Sequence, residues 1–294
     1  MYIEHFNLLA RPFNLRPDPE YLFLSDHHSM ALRMLEYGLF EQDGYTVITG
    51  EVGSGKTTLI RYLLNAVEDD YQIGLISNTH KSFGDLLHWV ASAFGIRREK
   101  RTDAELYEAF IDFLVAGYEH GKRTLLIIDE AQNLDIESLE EIRLLSNINA
   151  DGVLVLQLLM VGQPEFRELL QRRELRQVAQ RISTHYHLEP LDLVSAVGYI
   201  RHRLLVAGAT RPIFTEKAMR IVHECSGGVP RLINQICESA MVYAYAMDSH
   251  LVCAATVQNV MQDRKASLVL PLFAGGKASK NELRQSLREL EVSQ

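Results

Sequence analysis

The chain has 294 residues, 47% of them hydrophobic and 23% charged, and a formal net charge of -8 from 30 basic and 38 acidic side chains. That balance belongs to a soluble globular protein of one large domain or two smaller ones, and it excludes fibrous, low-complexity and mainly disordered classes. It also disfavours a general polyanion-binding surface, though not a local basic patch. Cys225, Cys237 and Cys253 form no CxxC pair and no zinc-like spacing, and read as small buried hydrophobes in a reducing compartment. The opening Met-Tyr-Ile-Glu-His is unlike a signal peptide, and no stretch reaches the roughly 18 apolar residues of a membrane span, so the expectation is a cytoplasmic protein with no direct membrane span.

In chain order, apolar runs of strand length occur at Tyr45 to Thr49, Tyr71 to Ser77, Thr124 to Ile128, Val153 to Val161 and Thr184 to Leu188. Their apolarity is continuous rather than alternating, as in a sheet buried on both faces, and the segments between them have helical periodicity. Strands separated by helices predict a parallel α/β sheet with right-handed crossovers. From about Pro190 only helical patterns remain: Asp192 to Ala207 ending at Gly208, a segment capped by Thr215 and stopped by Gly227-Gly228, Pro230 to Met247, and Ala255 to Arg264. The expected domains are 1–190 (α/β), 191–265 (helical) and 266–294 (a linker and amphipathic tail). In the tail Leu283, Leu287 and Leu290 share one face, which either packs on the protein itself or docks a partner.

Directly after the first strand stands Gly50-Glu51-Val52-Gly53-Ser54-Gly55-Lys56-Thr57, then Thr58 and a helix. The spacing GxxxxGK[ST] is that of the Walker A phosphate loop, whose backbone N–H groups and helix N-terminus surround an anion. Glycines let the backbone approach where a Cβ would block it. Lys56 is expected to reach the β- and γ-phosphates of ATP, and the Thr57 hydroxyl to ligate Mg²⁺. The run Leu125 to Ile128 ends in Asp129-Glu130, a Walker B pattern. Asp129 is expected in the Mg²⁺ shell, and Glu130 as the group that orients or deprotonates the attacking water. The order of the motifs predicts that the carboxylate-bearing strand lies beside the loop-bearing one.

Taken with Phe6, Pro12-Phe13, Pro17-Asp18-Pro19, Leu22 to Ser25, Asp129 to Leu134, Gly162 to Phe166, Leu175 to Gln177, Gln180 to Ile182 and Gly227 to Asn234, these motifs resemble the AAA+ ATPases. Within them the chain is most similar to the general secretion pathway protein A (ExeA-like) family, including its short members associated with exosortase and polysaccharide loci. The resemblance spans roughly residues 1–262. It implies a P-loop NTPase sheet in the order 5-1-4-3-2 with a C-terminal helical lid, and an N-terminal segment (1–40) over the adenine cleft.

The resemblance also implies roles. Gln163 matches the polar sensor of the γ-phosphate, or is a turn residue before Pro164. Asn78 matches the residue that restrains the catalytic glutamate, or is a loop asparagine. Arg231 matches the second sensor arginine, which couples nucleotide state to the lid. Its place in a helix first turn opposes the macrodipole and suggests an anionic partner. Arg181 matches the arginine finger given to a neighbouring subunit, with Arg172, Arg173 and Arg176 as competitors. A Mg²⁺-dependent ATPase follows, self-associating as a ring or filament and serving an envelope secretion or exopolysaccharide export complex. Any membrane link would pass through an inner-membrane partner, since secretion-pathway members continue into a span and a peptidoglycan-binding domain and this chain stops at Gln294. The alternative is an ATP-switched DNA-binding regulator related to transposition ATPases, with Arg97, Arg98, Lys100 and Arg101 contacting phosphates, unless that cluster is a solvated loop.

Overall fold

The computed structural model describes residues 2–16, 18–41, 44–67, 70–77, 86–97, 101–150 and 152–266. Asn78, Arg98, Lys100 and the 267–294 tail lie outside the described residues.

Five strands form one parallel sheet: β1 (Tyr45–Gly50), β2 (Tyr71–Ile76), β3 (Arg123–Ile128), β4 (Leu156–Gly162) and β5 (Ile182–Leu188). Their order is β2-β3-β4-β1-β5, which is the 5-1-4-3-2 arrangement read from the other edge. The expected adjacency of β1 and β3 is corrected by it. β4 lies between them and pairs with both, Leu158 opposite Tyr45 on one side and Leu126 on the other. Strand spacing near 4.8 Å therefore sets strands β1 and β3 about 10 Å apart, with β4 in between, and side chains from the loop and from the end of β3 meet across the end of β4.

The apolar run at 153–161 also divides. Val153–Leu154 pairs antiparallel with Asn149–Ala150 in a small hairpin, and only Leu156–Gly162 enters the sheet.

Continuous apolarity on the strands is explained by helices on both faces. Val47, Leu126, Ile128, Leu158 and Met160 point into one core with Phe110 and Leu114 of α4 (Asp103–Glu119), Leu139 and Ile142 of α5 (Ile136–Leu145) and Phe166 of α6 (Pro164–Leu170). Ile48, Leu125, Ile127, Leu159 and Val161 point the other way, against Leu35 of α1 (Asp26–Glu41) and Leu59 and Leu63 of α2 (Lys56–Val67). The helix α3 (Leu86–Ala93) covers β2. Alternation of side chains along each strand supplies both faces.

Four helices follow: α7 (Leu193–Val206), α8 (Glu216–Ser226), α9 (Pro230–Ala246) and α10 (Ala254–Ala266). Asp192 and Thr215 cap α7 and α8 with side-chain oxygens, and Gly227 closes α8 in the left-handed region. Their core also contains Tyr2, Phe6, Leu8, Phe13 and Tyr21, so the N-terminal segment is packed into the helical unit rather than onto the sheet.

Arg203 on α7 fastens that segment. It is 6% exposed, donates from Nε to the Pro12 carbonyl, from Nη2 to the Asn14 carbonyl (3.2 Å) and from Nη1 to the Tyr199 hydroxyl (2.9 Å), and lies 4.7 Å over the Tyr21 ring. A guanidinium meets a buried site of this kind because its donors are planar and divergent, where a lysine ammonium would leave carbonyls unpaired.

Of the three cysteines, only Cys237 is fully buried. Cys253 is exposed just ahead of α10, where its thiol accepts helix N–H groups, a correction to the reading of all three as buried hydrophobes. No helix among the described residues is long and apolar enough to cross a membrane.

Candidate nucleotide-binding site

Four chain segments meet in a cleft of about 350 Å³ at the C-terminal ends of the strands. Its walls are the phosphate loop, Asp129, Glu130 and Gln163 from the strand ends, Asn14 to Arg16 and Tyr21 to Phe23 from the N-terminal segment, and Tyr199, Arg203, Arg231 and Asn234 from α7 and α9. This is the expected ligand position for an open α/β sheet.

The loop from Gly50 to Thr57 leads from buried β1 into α2, so its N–H groups and the helix N-terminus face the cleft. Gly53 and Gly55 have φ of +81° and +103°, a region glycine enters without strain. At Gly53 a Cβ would stand 2.3 Å from Cβ of Arg231, so the first turn of α9 rests directly on the loop. The backbone N–H of Arg231 also donates to the Gly53 carbonyl (3.1 Å). Gly53→Ala should therefore raise the Kd for ATP at least about tenfold, through strain and lid displacement. Titration calorimetry checks it, and wild-type affinity in the variant would refute it.

Lys56 Nζ donates to the Gly50 (2.6 Å) and Glu51 (2.9 Å) carbonyls. Burial lowers its pKa, and Glu130, Asp129, Glu51 and Glu165 oppose that shift by favouring the cation. The Thr57 hydroxyl donates to Asp129 Oδ2 (3.3 Å), while Asp129 Oδ1 accepts from the Glu130 N–H (2.9 Å). Burial raises the Asp129 pKa, and the Glu130 N–H works against it. A hydroxyl and a carboxylate side by side are the hard oxygen donors a magnesium ion takes, so the residues present fit the ion.

Glu130 is held in an unusual way. Its backbone is left-handed (φ +54°), which costs energy in a residue with a Cβ and marks a position set by its surroundings. Its Oε2 accepts from Gln132 Nε2 (2.6 Å) and Gln163 Nε2 (3.0 Å), and Gln132 Oε1 accepts the Gln163 backbone N–H (3.0 Å). The backbone donor orients the Gln132 amide, since only its oxygen can accept. Gln163 thus lies at the end of β4 between loop and carboxylates, in contact with Glu130. Asn78 lies outside the described residues.

The remaining arginines are placed apart. Arg231 is exposed at the cleft wall. Arg181 precedes β5 beside Tyr45, at the end of the sheet opposite the loop, and donates to Ser146 Oγ (3.0 Å) and Asn147 Oδ1. Six residues of strand separate it from the loop, about 20 Å, so it does not reach the cleft of its own chain. Arg172, Arg173 and Arg176 are exposed near it in sequence. Arg97 and Arg101 are exposed as well, Arg101 donating to the Arg97 carbonyl (3.0 Å).

Three contributors escape the motif reading. Gln132 stands inside the quoted Asp129 to Leu134 motif without a role, Arg203 has no local signal, and His28 contacts the loop. The spacing Ser25-x-x-His28 at a helix start, a variant of the capping-box pattern, is the signal that could have found the last.

Comparison with known proteins bears on the family and the fold. A family model described as an AAA domain matches residues 40–170. General secretion pathway protein A of Aeromonas hydrophila is 42% identical over 251 residues, which cover 85% of this chain and 46% of that protein. The chain thus spans about half the length of that relative. The ORC2 protein of Aeropyrum pernix, solved as ADPNP-ADP complexes, superposes with a TM-score of 0.66 at 18% identity, covering 89% of this chain and 73% of that one. Cdc6p of Pyrobaculum aerophilum gives a TM-score of 0.63 at 16% identity over 92% of this chain and 74% of its own. At such identities the two structures establish the fold. The expected similarity to general secretion pathway protein A is met by the sequence match, and the family model places an AAA domain at residues 40–170.

Proposed function

We propose that this chain, whose residues 40–170 match an AAA domain, is an ATPase that hydrolyses Mg²⁺-bound ATP to ADP and phosphate and does so as an assembly of several copies. The observation that supports this reading most is the convergence of Lys56, the Thr57–Asp129 pair and the Gln132–Glu130–Gln163 network on one cleft. Loop N–H groups and Lys56 hold the phosphates. Thr57 and Asp129 would hold Mg²⁺, whose chemistry there would be to neutralise phosphate charge. Glu130, turned by its two amide partners, orients and deprotonates the water that attacks in line. Gln163 lines the cleft and donates to Glu130, which suits a sensor of the γ-phosphate. Arg231 links the phosphates to α9, so the lid angle follows the nucleotide. With little covalent chemistry required, position and electrostatics supply the rate.

Arg181 faces away from its own cleft, which is consistent with an arginine finger given to a neighbour. Specific activity should then rise with protein concentration. Arg181→Ala should bind ATP normally and lose about a thousandfold in kcat, the magnitude of such fingers. Steady-state assays over a concentration series test this: a fully active Arg181→Ala variant, with Arg172→Ala inactive instead, would move the finger to the exposed Arg172.

For biological role, the reading is a cytoplasmic ATPase that energises or regulates an envelope secretion or exopolysaccharide export complex, attached to the inner membrane through a partner; the similarity to general secretion pathway protein A supports its secretion branch.

A further inference from the structure

Peptide groups are planar, with C=O and N–H pointing in opposite directions. A loop that turns N–H groups toward an anion must turn the paired carbonyls away, and those carbonyls need donors of their own. In this loop each of four carbonyls has one. Those of Gly50 and Glu51 accept from Lys56, that of Gly53 from the N–H of Arg231, and that of Ser54 from Nε2 of His28 at 3.1 Å.

His28 belongs to none of the recognised motifs. It stands in the first turn of α1 and is 4% exposed, although histidine is a polar residue and the cleft is next to it. Its other ring nitrogen, Nδ1, lies 2.7 Å from Ser25 Oγ, and its own N–H donates to the same hydroxyl oxygen (3.3 Å). Those contacts determine the tautomer. The Ser54 carbonyl can only accept, so Nε2 carries the hydrogen, Nδ1 accepts, and Ser25 donates to it. Burial lowers the pKa of the ring, in keeping with a neutral imidazole. The ring also touches Gly55 closely, since a Cβ there would stand 3.1 Å from Nε2.

We propose that His28 is a positioning residue for phosphate binding: its Nε2–H holds the Ser54 carbonyl away from the cleft and thereby turns the Gly55 N–H toward the phosphates. The inference rests on the reading of this loop as a nucleotide phosphate site. Ser25 locks the imidazole, the imidazole locks the peptide, and the peptide presents its donor to the anion. Because Tyr21 to Phe23 line the same cleft and lead into Ser25, the loop is braced by the chain that flanks the cleft rather than by the sheet alone.

The test uses the full chain and two probes, ATP and inorganic pyrophosphate, the second reporting the phosphate cradle without a base. His28→Phe fills the same space with no donor, and His28→Gln restores an N–H close to the position of Nε2. His28→Phe should raise Kd about tenfold for both probes, as expected when a buried carbonyl is left unpaired. His28→Gln should return both to within about threefold of wild type. Wild-type affinity in His28→Phe, or equal losses in the two variants, would overturn the proposal. Should His28→Phe fail to fold, Ser25→Ala carries the test, with a severalfold weaker Kd supporting the proposal and an unchanged Kd rejecting it. If the unsubstituted chain binds neither probe, the nucleotide reading itself fails and this inference with it. If it binds both and only the His28 variants behave as wild type, this inference alone fails.

Discussion

Lys56→Ala should raise the Kd for ATP by roughly a hundredfold and leave no measurable turnover. The ammonium is partly buried and stands among the carboxylates of Glu130, Asp129, Glu51 and Glu165, where it is the one cation within the loop itself. A charge-assisted hydrogen bond to an anion contributes on the order of 1.5–3 kcal/mol, and a hundredfold loss corresponds to about 2.7 kcal/mol. The variant also releases the Gly50 and Glu51 carbonyls from their donor, so part of the loss comes through loop geometry. Lys56→Arg separates the two contributions. The charge is kept, but the larger planar head cannot occupy the space between two carbonyls, so weak binding is expected there too. Calorimetric titration with ATP reads both, and wild-type affinity in Lys56→Ala would remove the loop from the account.

Glu130→Gln should bind ATP with an affinity within a few-fold of wild type and lose about 10²- to 10⁴-fold in kcat, the range attributed to a positioned general base. Glutamine is isosteric and keeps an acceptor for the amides of Gln132 and Gln163, so the left-handed backbone at 130 and the network around it have no reason to collapse. What disappears is the basic oxygen. Binding and turnover are thereby separated in one variant, unlike Lys56→Ala, in which both fall together. Similar kcat values for Glu130→Gln and wild type would exclude Glu130 as the base.

The loop, the carboxylate pair and the sheet are legible in the sequence because each depends on local order: a buried strand, a glycine-bearing turn, a helix start. Capping at Thr215 and Gly227 is legible for the same reason, as helix ends are specified by a few neighbouring residues. What the spacing misplaces is lateral order. Nothing local in Leu125 to Ile128 states that β4 will insert beside it, and that insertion brings Gln163 to Glu130. Gln132 illustrates a second limit, since its contact with Glu130 spans two residues and depends on a left-handed backbone at 130 that no propensity predicts for glutamate. His28 and Arg203 are long-range brackets, joining α1 to the loop and α7 to the N-terminal segment. Their partners are backbone carbonyls, which carry no sequence identity. The packing of Phe6 and Phe13 into the helical unit is hidden for a related reason, because apolar residues show that a core exists but not which core they join.

The most direct measurement is phosphate release from ATP and Mg²⁺ by the purified chain, with wild type and Glu130→Gln assayed side by side over a range of protein concentrations. The account predicts steady release by wild type, rising per subunit as concentration increases and lost when Mg²⁺ is chelated, and at most about one percent of that rate in Glu130→Gln. Equal release by the two proteins, or none by wild type at any concentration despite bound ATP, would contradict it.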